Sequence, residues 1–128
     1  EYRMTSVLNV DTIADKAGSG PVGLTKQSAA KAFAQFAGDG TAQINESFGM
    51  SSLSDTGAGL YVLTVSSAMS SSDYTVVLHG ISDANYPAHV GSYDTSRTTT
   101  TFPVNSSNSG SAWQDVSTLD AVIFGDLA

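Results

Sequence analysis

A chain of 128 residues, with charged side chains at only 13% and a net charge of −7, suits one domain, long enough to bury a core and too short for two enzymatic lobes. The absence of cysteine excludes a disulfide framework and a thiolate metal site, and the acidic balance repels phosphate backbones, which argues against nucleic-acid binding. Ser and Thr make up about a quarter of the residues, so hydroxyls rather than ions are expected to keep the surface wet.

Residues 1–31 carry Arg3, Lys16, Lys26 and Lys31 against Glu1, Asp11 and Asp15, whereas residues 32–128 set Arg97 alone against nine acidic groups. The same division appears in the pattern. Val7, Leu8, Val10 and Ile13 fall in a roughly alternating, strand-like stretch, which Ala17-Gly18-Ser19-Gly20-Pro21 breaks with Gly and Pro. Residues 1–25 are therefore expected to be a leader and hinge, with residues 26–128 as the folded body. No apolar run reaches the roughly 18 residues of a membrane span, and no signal-peptide core follows Glu1-Tyr2-Arg3-Met4, so a soluble protein without membrane insertion is expected.

Thr25 to Phe36 admits a helix through Ser28-Ala29-Ala30-Lys31-Ala32, or a strand through Phe33 and Phe36 that turns at Gly38-Asp39-Gly40. The reading adopted is helical or irregular to about Ala30 and strand from Lys31. Beyond that, Asp55 to Gly59, Met69 to Asp73, Ser82 to Pro87 and Asn105 to Gly110 separate segments of strand length, which predicts an all-β fold, an antiparallel β-sandwich, after the N-terminal leader. A two-residue period puts Tyr61, Leu63 and Val65 on one face, as it does Tyr74, Val76 and Leu78, Phe102 and Val104, and Leu119, Ala121 and Ile123. These faces should form the core. The opposite faces carry Leu60, Val62, Val77, Val122 and Phe124, more apolar mass than one solvated face normally shows, so part of the outside is expected to be covered by another subunit or element. Asn105 to Ser111 is low in complexity and is expected to be an exposed loop.

Catalytic and metal chemistry has little to stand on. His79 and His89 lack zinc spacing, and His79 reads as a histidine hydrogen-bonded at a sheet edge. There is no Gly-x-Ser-x-Gly elbow, and Gly18-Ser19-Gly20-Pro21 lacks the Lys-Ser/Thr pair of a phosphate loop. Asp55, Asp73, Asp83, Asp94 and Asp115 mostly adjoin Ser or Thr in turn-like stretches, where a carboxylate caps backbone in preference to holding calcium. No catalytic residue, metal ligand or cofactor is assigned. Trp113 either caps the sandwich or offers a sugar a stacking platform. Tyr86, His89, Tyr93, Asp94 and Arg97 lie between Ile81 and Ser111, a stretch suited to recognition.

Asp55-Thr56-Gly57-Ala58-Gly59-Leu60-Tyr61-Val62-Leu63, then Ala68-Met69, then Asp73-Tyr74-Thr75-Val76-Val77 resembles a motif of bacteriophage tail-fibre and related virion proteins, of the type found in marine phages. Lys31 to Phe36, Glu46 to Leu53 and Val122 to Asp126 look like the same domain, and Ser6 to Ile13 is similar to the start of such fibre proteins. Ile81 to Ser111 shows no such likeness, and Ser70 stands where the family's loop usually has proline. The resemblance implies a non-enzymatic structural protein of the virion, commonly a homotrimer, that takes part in host attachment. Its partners would be other virion proteins, docked through Val7, Leu8, Val10 and Ile13, and a host receptor or glycan, met by Tyr86, His89, Tyr93, Asp94, Arg97 and Trp113. A capsid-attached spike or decoration protein is the alternative, and a polysaccharide-cleaving tailspike tip is the rival from another class, disfavoured by the shortage of paired carboxylates.

Overall fold

The computed structural model describes residues 29–82, 88–92, 96–107 and 112–128. These contain no helix and form strands β1 (Ala32–Ala37), β2 (Gln43–Phe48), β3 (Met50–Gly57), β4 (Leu60–Val65), β5 (Thr75–Ile81), β6 (His89–Gly91), β7 (Thr101–Ser107) and β8 (Thr118–Phe124). Two four-stranded sheets result, one in the order β2-β1-β8-β5 and the other β3-β4-β7-β6, with every neighbouring pair antiparallel. The expected all-β sandwich is the fold. The leader and hinge, with Val7, Leu8, Val10 and Ile13, lie outside the described residues, as does the Thr25 to Ser28 part of the helix-or-strand stretch. Ala29 and Ala30 are irregular, and β1 starts at Ala32, one residue later than expected.

Strand alternation builds the core. Ala32, Ala34 and Phe36 from β1 and Leu119, Ala121 and Ile123 from β8 meet Tyr61, Leu63 and Val65 from β4 and Phe102 and Val104 from β7. The Phe36 ring meets the edge of Tyr61 at 5.4 Å between centroids, joining the two sheets across the interior. Of the expected Tyr74, Val76 and Leu78 face, Tyr74 is fully in the core and the other two pack partly buried against it.

Gly49 lets the chain change sheets. It alone separates β2 from β3, has φ of 68°, and a Cβ there would stand 2.9 Å from the Lys31 carbonyl oxygen. Only glycine meets both demands without strain.

Two expectations about loops are corrected. Asp55, Thr56 and Gly57 still belong to β3, so the turn narrows to Ala58 and Gly59. Asn105, Ser106 and Ser107 are not exposed loop: they complete β7 and are buried at 5%, 0% and 6% exposure. Small polar side chains suit a turn, but they also let a neighbouring segment approach the strand closely. Here Gln114 does so, its N–H donating to the Ser106 carbonyl at 3.0 Å while the Ser106 hydroxyl donates to the Gln114 carbonyl at 2.9 Å. Residues 108–111 lie outside the described residues.

Candidate functional site

The segment from Ala112 to Val116 crosses one end of the sandwich and is held from below at several points. Gly59, at the β3–β4 turn, donates its N–H to Asp115 Oδ1 at 2.6 Å. Tyr61, buried completely, directs its hydroxyl at the same carboxylate oxygen and at the Gly38 carbonyl, each at 2.9 Å. Gly38 in turn donates to the Val116 carbonyl at 3.1 Å. Burial, and after it the hydrogen bond to Asp115 and that group's negative charge, raise the Tyr61 hydroxyl far above the ordinary tyrosine range, so it stays a donor.

Gly59 cannot be replaced without moving this end. It has φ of 64°, and a Cβ would lie 2.6 Å from the Gln114 nitrogen and press on the Ser106 carbonyl as well. Asp115, expected to cap a local turn, therefore ties together residues more than fifty positions apart. Nothing in the spacing of the sequence marks that role; the one signal was Gly59 in a turn that had to pack against something. Asp55 does what was expected of it, its Oδ1 accepting the Gly57 N–H at 3.1 Å.

Trp113 sits on this pinned segment and is 47% exposed, a half-open ring and not a core cap. His89 is exposed at the start of β6, paired in register with Ser107, toward the same end. Arg97 is elsewhere. Its Nη1 donates to the Tyr74 carbonyl at 2.7 Å and its guanidinium lies 5.1 Å from the Tyr74 ring centroid. Tyr74 in turn donates its hydroxyl to the Thr101 carbonyl at 3.0 Å, which places Arg97 at the opposite end of β7 from Ser107, roughly 20 Å along the strand. Arg97 thus fastens the residue 96–100 loop to the residue just before β5. Tyr86, Tyr93 and Asp94 lie outside the described residues. Of the sequence-derived set, the structure places His89 and Trp113 toward one end of β7 and Arg97 toward the other.

His79 stands on edge strand β5 with its Nδ1 3.2 Å from Asp120 Oδ2, while Gln35 Nε2 donates to Asp120 Oδ1 at 3.2 Å. This is the edge histidine the sequence suggested. The described residues contain no group of three His, Cys, Asp or Glu placed to hold a metal ion. What this end of the molecule can do chemically is present a rigid aromatic surface beside hydrogen-bonding groups, an arrangement for binding. No family model matches the chain, and no curated protein or solved structure matches it either.

Proposed function

We propose that this domain is a structural and adhesive module of a bacteriophage virion, a tail fibre or fibre-like component, with residues 1–25 as its attachment and the Trp113 end turned toward the host surface. The observation that carries the adhesive part is Trp113: a half-exposed ring on a segment fixed by Gly59, Tyr61 and Ser106. An aromatic platform that is already ordered loses little entropy when a ligand stacks on it, and a flat ring suits the apolar face of a sugar. The virion part is supported by the resemblance of Asp55 to Leu63 and its flanking segments to phage fibre proteins.

Trp113 is the sole tryptophan, so its emission reports directly on the platform. Titration with a panel of bacterial surface polysaccharides should shift that emission for at least one of them. Trp113→Ala should lower the affinity about thirtyfold, as for a central aromatic contact worth ~2 kcal/mol, with the melting temperature little changed. Immunogold labelling of intact phage particles should place the protein on tail or capsid. Particles that carry no label while the protein stays in the cell fraction would overturn the virion reading; a receptor-bound protein with unchanged affinity on loss of Trp113 would overturn the placement of the adhesive site.

A further inference from the structure

Four of the six exposed large apolar side chains among the described residues, Phe33, Phe48, Val77 and Ile81, lie on one surface, the outer face of the β2-β1-β8-β5 sheet. The register aligns them. Phe48 pairs with Phe33, Phe33 with Val122 and Val122 with Val77, so one apolar row crosses all four strands. Phe33 and Phe48 already stack at 6.1 Å between centroids. On one side of this row runs a polar one, Glu46, Gln35, Asp120 and His79, each again a register partner of the next. A shallow depression of about 360 Å³ lies between the two rows. On the other side Phe124 pairs with Thr75, and Lys31, the half-buried residue just before β1, donates its N–H to the Ile123 carbonyl at 2.8 Å. Along the chain the order is Lys31, Phe33, Gln35, so Lys31 lies on the far side of the apolar row from Gln35.

We infer that this face is a two-fold self-association surface on which a second copy of the chain stacks, with the symmetry axis along the apolar row. A rotation about that axis lays row on row and exchanges the two flanks. Lys31 of each copy then falls over Gln35 of the other, between Glu46 and Asp120. Charge selects this arrangement. Lys31 and Glu46 have no ion-pair partner among the described residues, where the one such contact is His79 with Asp120, and the two-fold supplies each with the other. A two-fold along the strands instead sets Lys31 against Phe124 and leaves its ammonium away from any carboxylate. An isologous contact of this kind closes on two copies, so the face specifies a pair where the fibre resemblance implies a trimer. The inference does not rest on the virion reading.

The size of the face sets the strength. Four strands at about 4.8 Å spacing and seven residues at about 3.3 Å cover roughly 440 Å² of sheet per copy, which places the pair at the small end of specific interfaces, below about 1,200 Å² in total. Association in the micromolar range is expected.

Sedimentation equilibrium and native mass spectrometry on the full chain test this. The expected result is a monomer–dimer equilibrium that Lys31→Glu weakens at least about tenfold through like-charge contact, and that Val77→Asp abolishes. Val77 is exposed and Lys31 lies outside the core, so circular dichroism should show an intact fold. The double variant K31E/E46K should recover at least part of the association, because the swapped charges meet again across the two-fold. A chain that is monomeric at about a hundred times the expected micromolar range, a trimer, or a dimer indifferent to Lys31→Glu would each overturn the inference.

Discussion

Tyr61→Phe removes one oxygen and leaves the ring packed on Phe36. A hydroxyl has one proton to donate, and here it is shared between the buried Gly38 carbonyl and Asp115 Oδ1. Hydrogen bonds to a charged partner contribute about 1.5–3 kcal/mol, and the carbonyl left behind has no water to replace the donor, so a loss of about 2 kcal/mol is expected. For a domain of this size each kilocalorie moves the midpoint by about 4 °C, which puts the fall in Tm near 8 °C. Asp115→Ala strips the acceptor from the Gly59 N–H as well and should cost about 2–3 kcal/mol. Both variants delete the same hydroxyl–carboxylate contact, so the double variant should fall short of the sum by about 1 kcal/mol or more. Urea denaturation followed by circular dichroism measures all three. A Tyr61→Phe protein within about 0.5 kcal/mol of wild type, or strict additivity in the cycle, refutes the pinned-end account. In Asp115→Ala the Trp113 emission should also show faster depolarisation, since the segment beneath the ring is no longer fastened.

Burial raises the hydroxyls of both Tyr61 and Tyr74 above the ordinary tyrosine value. The unfolded chain therefore releases these protons first, so their contribution to stability is complete below about pH 10 and falls as the pH climbs past it, by up to about 1.4 kcal/mol per pH unit for each group. Tyr61→Phe should flatten this alkaline decline, and a wild-type profile that stays level as pH rises beyond about 11 contradicts it. Arg97→Ala should lower stability by about 1–2 kcal/mol through loss of the Tyr74 carbonyl bond and the ring contact, with Arg97→Lys recovering only part and adhesion unchanged in both. An Arg97→Ala protein of full stability and impaired adhesion would return Arg97 to the binding surface.

Much of the fold is legible along the chain because it depends on local alternation. Tyr61, Leu63 and Val65, or Leu119, Ala121 and Ile123, occupy one side of a strand by geometry alone, and hydrophobicity then selects that side as the interior. Gly40 and Gly59 break the strands because their positive φ suits few residues but glycine. The all-β class, the core faces and the edge position of His79 follow from such rules. The local rules fail at Asn105 to Ser107, where composition indicates a solvated loop and packing against Gln114 makes a buried strand end.

The rest depends on which segments meet, and that is a tertiary matter. Pairing order set Phe48, Phe33, Val122 and Val77, drawn from residues spread between 33 and 122, into a single row; no window of the sequence contains it. Asp115 finds Gly59 and Tyr61 across more than fifty residues, and Arg97 finds Tyr74 across twenty-three, so a carboxylate expected in a local turn and a cation expected on a binding loop became fastenings of the fold. An isolated charged side chain carries its chemistry in its formula, but its partner is set by chain topology, and with it whether that chemistry is spent on stability or left facing solvent. Trp113 shows the other outcome: the ring and its loop could be read from the sequence, while its half-exposure on a pinned segment was decided by the sandwich end beneath it.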